Sequence, residues 1–247
     1  MKKALLICGA LLALTAGAAS AGVNLSFNDC GSFGVSSVPL TCTANTGNFI
    51  LVVSANPTAT IPLALTQETV IDLETSAASI SPWWDMRASG GCRPTSASTA
   101  FAFGALANCV DPWSGQALGG YDYAIAPLFD ATNGSHPNRA RIRTVCALPA
   151  FAPVQLDAGT EYYMCEVVIN KAKTVGLGSC AGCTDDATFY LNSVKISQPD
   201  GAPGGNPTFA SADNSACART RSAPSASQCN ATPNVNRTWG SVKALYR

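Results

Sequence analysis

Few residues in this chain have the type and spacing to do chemistry. Cys180-Ala-Gly-Cys183 has the two-residue gap of a redox dithiol. That chemistry needs a helix starting at the first cysteine, in a strand–helix–strand setting, to lower the thiol pKa. Here Gly182 and the following Thr-Asp-Asp read as a loop. The expected role is a structural bridge, with a disulfide redox protein using Cys180 and Cys183 as an alternative. His136 is the only histidine, so a Ser-His-Asp or Cys-His site would have to use it. It sits in Gly-Ser-His-Pro-Asn, a turn, and there is no Gly-x-Ser-x-Gly elbow to pair with it. A zinc site would draw on cysteines that export oxidises. Asp185-Asp186, with Asp157 or Asp200, lacks the spacing of a calcium loop. Asp72 and Glu74 share a strand face like a glycosidase carboxylate pair, a spacing common by chance. No catalytic residue, metal site or cofactor is expected.

Two further groups bear on binding. Trp83, Trp84, Trp113 and Tyr121 could stack on the apolar faces of sugar rings, which makes a carbohydrate-binding module the first alternative function. Pro82-Trp83-Trp84-Asp85-Met86 reads as extended, so at most one of the adjacent tryptophans should point inward. The competing reading is packing in the core and at corners. Arg139, Arg141 and Arg143 share one strand face, either as an anion-binding stripe or as a solvated face that discourages edge pairing.

The elements that must position these residues follow from composition. The chain has 247 residues, zero net charge and 12% charged residues, against about 25% in an average protein. No basic patch is large enough to neutralise phosphates, so nucleic acid is not an expected partner. Residues 1–21 read as a secretory signal peptide: Met-Lys-Lys, an apolar run, then Ala19-Ser20-Ala21. No membrane span is expected after cleavage. The expected location is secreted, extracellular or periplasmic.

Removing Cys8 with the signal leaves ten of the eleven cysteines, an even set that implies disulfides in an exported chain. Sequence leaves connectivity open. Pairing in order is the working expectation: Cys30–Cys42, Cys92–Cys109, Cys146–Cys165, Cys180–Cys183 and Cys217–Cys229. Arg139 to Leu148 and Thr160 to Ile169 read as neighbouring antiparallel strands about a turn near Gln155, which would set Cys146 opposite Cys165.

The clearest strand lies within Leu156 to Ile169, where Tyr163, Cys165, Val167 and Ile169 alternate with Met164, Glu166 and Val168. Other short strands, separated by turn residues, follow along the chain with no sustained helical period. Leu156-Asp-Ala-Gly-Thr-Glu-Tyr162 resembles the fibronectin type III corner, where a tyrosine bonds back to upstream backbone. Tyr163-Met-Cys165 resembles the immunoglobulin Tyr-x-Cys. Both imply a sandwich. VNLSFNDCG, with the late CAGC and FYLNSVKI, also resembles uncharacterised secreted bacterial families, and implies no activity.

The expected fold is all-β, a disulfide-stapled antiparallel β-sandwich, immunoglobulin-like or jelly-roll-like. Residues 22–247 would form a single domain, loop-rich from about 199. The expected function is a non-catalytic exported structural or interaction module of bacterial type, with an unknown protein or glycan partner.

Overall fold

The structure is a computed structural model that describes residues 22–221, apart from 105–108, 130–135, 211 and 214. The expected signal peptide and an expected last strand near Trp239 to Leu245 lie outside the described residues. In chain order the strands are β1 (Gly22–Phe27), β2 (Ser37–Val38), β3 (Asn48–Asn56), β4 (Ile61–Ala64), β5 (Thr66–Thr75), β6 (Ala97–Ala100), β7 (Leu118–Ile125), β8 (Arg139–Ala147), β9 (Val154–Leu156), β10 (Tyr162–Asn170), β11 (Ala187–Ser197), β12 (Thr208–Phe209) and β13 (Cys217–Thr220).

The fold is all-β. One sheet runs β1-β3-β10-β6; a larger one runs β2-β13-β11-β5-β8-β7, with β12 on β11; β4 and β9 pair apart from both. The pairings between these strands are antiparallel except β2 with β13, and isolated parallel bridges join Val23 to Ala212 and Val110 to Tyr162. Period-two alternation places one side of each long strand in a shared core. Leu51 and Val53 of β3 and Val167 and Ile169 of β10 come from one sheet, Ile71, Leu73, Ile142 and Leu191 from the other, and all are fully buried. Among the described residues no helix is long and apolar enough to cross a membrane.

Within β10 the alternation holds from Cys165 onward: Cys165, Val167 and Ile169 are buried, while Glu166 and Val168 are half-buried. A bulge at Met164 interrupts it, and Tyr162, Tyr163 and Met164 are all buried. An extra residue in one strand sends neighbouring side chains to the same side. The chain also covers the other side there: Trp113 Nε1 donates to the Met164 carbonyl at 3.0 Å, and Phe103 packs on Tyr163 at 5.5 Å. The Tyr162 hydroxyl meets upstream backbone, accepting from the Asp157 N–H at 2.8 Å. The Tyr163 hydroxyl donates across the sheet to the Ala100 carbonyl at 2.7 Å.

The expectation that β8 and β10 are neighbours is corrected. β8 pairs with β5 and β7, β10 with β3 and β6, and the intervening β9 pairs with β4. What reads as a hairpin turn is a crossing from one sheet to the other. Cys146 and Cys165 therefore come from opposite sheets, and both are free and buried. The Thr144 hydroxyl lies 3.4 Å from the Cys165 sulfur, and Gln67, Thr69 and Thr144 form a buried hydrogen-bonded patch around it.

Other in-order pairings are replaced by bridges between loop segments far apart in sequence. The bridges are Cys30–Cys109, Cys42–Cys183 and Cys92–Cys180, with sequence separations of 79, 141 and 88. Thus Cys30–Cys42, Cys92–Cys109, Cys146–Cys165 and Cys180–Cys183 do not form. Cys217 is disulfide-bonded, and Cys229, its expected partner, lies outside the described residues. These bridges are consistent with an oxidising compartment.

Burial pushes the Cys146 and Cys165 thiols up to about 12, so both are protonated and unreactive near neutrality. In the native oxidised protein neither should react with iodoacetamide; both should label after denaturation without reductant, as read by peptide mass mapping. Persistent protection in denaturant would mean that they are bridged. A thiol unfolded titrates near 8.5. Its raised folded pKa contributes stability that is complete below about 8.5 and is lost as pH rises toward about 12. Urea melts should show a falling midpoint from pH 8 to pH 10, by roughly 2 kcal/mol per thiol, with a smaller fall in Cys165→Ala.

Candidate functional site

At one end of the sandwich, β3, β8 and β11 begin and β5, β7 and β10 finish. Three connecting segments meet there: 39–47, 76–96 and 171–186. The CAGC turn belongs to the third. Cys183 bridges to Cys42 in the first and Cys180 to Cys92 in the second. The two cysteines are therefore not a redox pair: each sulfur is spent on a different segment.

Beneath these bridges Pro82–Trp84 forms a short 3-10 turn, not the expected extended segment. Proline suits the first position of such a turn because its φ is preset and it has no N–H to satisfy. The inward/outward rule for adjacent strand residues then fails, and Trp83 and Trp84 are both fully buried. Trp83 Nε1 donates to the Thr174 hydroxyl at 3.0 Å, and Trp84 Nε1 donates to the Asp185 carbonyl at 3.2 Å. Their rings stand edge to face at 4.6 Å, and the contacts continue to Phe49 at 6.5 Å and Phe189 at 5.9 Å. Trp113 is also fully buried, and half-buried Tyr121 donates its hydroxyl to the Ala97 carbonyl at 2.7 Å. Burial takes Trp83, Trp84 and Trp113 out of the exposed stacking platform considered as an alternative, in line with the competing reading of core packing, and leaves Tyr121 half-buried. Their indole N–H groups find backbone or hydroxyl acceptors, so burial leaves none unsatisfied.

Arg93 was not anticipated. It is 1% exposed, with its guanidinium 3.6 Å from the centre of the Trp83 ring. Its Nε donates to the Ala172 carbonyl at 2.9 Å, Nη1 to the Trp83 carbonyl at 2.7 Å, and Nη2 to the Asn170 carbonyl. Burial lowers its pKa to about 10, which leaves it cationic at neutral pH. The sequence offers one local hint: a cation next to Cys92 in an otherwise small, polar loop. Tyr123 of β7 completes the knot, its hydroxyl donating to the Trp84 carbonyl and its own ionisation suppressed by burial.

The remaining candidates are dispersed. Arg141 pairs with Asp72 through two bonds of 2.7 and 2.9 Å, and Arg139 meets Glu74 at 2.8 Å. They face each other across β8 and β5. The arginine stripe is therefore partly neutralised by the two carboxylates considered for glycosidase chemistry, on a sheet surface rather than in a cleft. Only Arg143 of the three is exposed. His136 is half-buried before β8, and Asp186 lies 3.7 Å from Arg221. No group of three or more metal-ligating side chains occurs among the described residues. A groove of about 410 Å³ lies between the 79–87 segment and the end of β7. Ile80, Ile125, Pro127 and Leu128 line it, with Asp85 and Arg87 paired to each other at 2.6 Å.

No protein-family model matches the chain, and no curated protein matches it in sequence.

Replacing Arg93 by Ala should cost about 3 kcal/mol, because the buried Trp83 carbonyl and the half-buried Asn170 and Ala172 carbonyls lose their donor and a cavity opens over Trp83. Arg93→Lys should not rescue it, since an ammonium cannot serve three carbonyls from a stacked plane. Urea denaturation of the oxidised protein measures both.

Proposed function

We propose that this chain is a non-catalytic structural or interaction module of bacterial type, exported to the cell surface, medium or periplasm. The observation that carries this reading is the use of both CAGC cysteines in separate long-range bridges. Several of the other side chains considered for chemistry are likewise engaged by the scaffold. Trp83, Trp84 and Trp113 are core residues, and Asp72 and Glu74 are ion-paired. The partner is a protein or glycan met through other surface. Among the described residues Leu177 in the loop after β10, Phe151 in the turn after β8 and Leu118 at the start of β7, 109%, 89% and 81% exposed, are the large apolar side chains most open to contact.

Three readouts on the oxidised protein test this. Insulin reduction should stay at the background of reductant alone. Binding across a polysaccharide panel should not depend on Trp83, Trp84, Trp113 or Tyr121. A photo-cross-linker at Phe151 should capture a discrete partner in producing cells, and one at Lys195 should not. Insulin turnover that disappears in Cys180→Ser would replace this reading with an oxidoreductase.

A further inference from the structure

We propose that the Cys42–Cys183 bridge is a redox-sensitive latch, opened by a dithiol reductant before the other two disulfides among the described residues. The distinguishing feature is Arg221, whose Nη2 lies 3.5 Å from the Cys42 sulfur. Among the described residues no cation makes a comparable contact with the sulfurs of Cys30–Cys109 or Cys92–Cys180. Lys173 approaches Cys92 at its carbonyl oxygen, at 2.8 Å. A guanidinium beside a sulfur favours the thiolate, and a stabilised reduced form makes its disulfide easier to reduce. Arg221 Nε also faces Asp186 at 3.7 Å, which moderates its charge without removing it from the sulfur.

Access chooses the sulfur that is attacked rather than the bridge, since Cys92 and Cys109 are also half-buried and bonded to buried partners. Cys42 is half-buried while Cys183 is buried, so an incoming thiolate meets the Cys42 sulfur. Attack there forms a mixed disulfide with Cys42 and expels Cys183, which takes a proton. The reductant's second thiol then attacks its own sulfur in the mixed disulfide. Cys42 leaves as a thiolate next to Arg221, and the reductant departs as a cyclic disulfide. Two electrons pass from the dithiol to the bridge.

Opening the latch need not unfold the end of the sandwich. Asn45 still accepts from the Thr174 and Val175 N–H groups at 2.7 and 2.9 Å and donates to the Val175 carbonyl at 3.0 Å. Cys92–Cys180 and the Arg93 bonds remain. What changes is the tether between the segment leading into β3 and the CAGC turn.

The test equilibrates the full oxidised chain in a series of reduced-to-oxidised dithiothreitol ratios, followed by alkylation and mass mapping. Cys42 and Cys183 should label at lower ratios than Cys30, Cys109, Cys92 or Cys180. Arg221→Gln should require a ratio roughly tenfold higher, equivalent to about 30 mV, and Arg221→Lys should stay close to the wild-type chain. If another bridge opens first, or if folded Arg221→Gln keeps the wild-type midpoint, the proposal is wrong. Should Arg221→Gln fail to fold, the order of opening in the wild-type chain and the Arg221→Lys midpoint still decide.

Discussion

Arg93 carries a full charge into a place that water does not reach, and one end of the sandwich is arranged around satisfying it. A cation in such surroundings is costly unless every donor finds an acceptor. Here the acceptors are carbonyls of Trp83, Asn170 and Ala172, drawn from the Trp83–Trp84 turn, the last residue of β10 and the segment just after it. Desolvation makes each of those bonds stronger and the loss of any one more expensive. The ring of Trp83 closes the remaining face of the guanidinium, an arrangement that suits a planar cation and not an ammonium. The position of the two segments is thereby fixed, with Trp83 and Trp84 sealed beneath them.

The disulfides act on the same segments by a different route. Cys92 directly precedes Arg93, and its bridge to Cys180 joins the 76–96 segment to the 171–186 segment. Cys42–Cys183 adds the segment before β3. A cross-link stabilises chiefly by restricting the unfolded chain, more so for long closures, while the buried guanidinium selects one folded arrangement. The consequence for function is subtractive. Side chains that could stack, exchange thiols or coordinate an ion are largely engaged in holding the loops, and the open surface is left for contact.

Much of the architecture was legible in the sequence because strand alternation is local. β1, β3, β8, β10 and β11 follow from residue patterns alone, as does the CAGC loop. Which sheet a strand joins is not local information. The short β9, read as a turn, carries the chain from β8 in one sheet to β10 in the other. That single crossing removes the expected Cys146–Cys165 pairing; Cys30–Cys42, Cys92–Cys109 and Cys180–Cys183 fail because their cysteines lie in loops that meet distant loops in space. The adjacent tryptophans failed for a different reason: Pro82 starts a 3-10 turn, so the two-sided geometry of a strand never applied to them. Arg93 was hidden because its partners are carbonyls, and a carbonyl acceptor leaves no mark on residue identity.

The central claim is that the two CAGC cysteines are divided between distant segments. Non-reducing proteolysis of the protein as produced, with fragments read by mass spectrometry, tests it most directly. The account predicts cross-linked peptides joining Cys42 to Cys183 and Cys92 to Cys180. A cleavage between the paired cysteines that leaves Cys180 joined to Cys183, with Cys42 and Cys92 bound to each other or free, would contradict it.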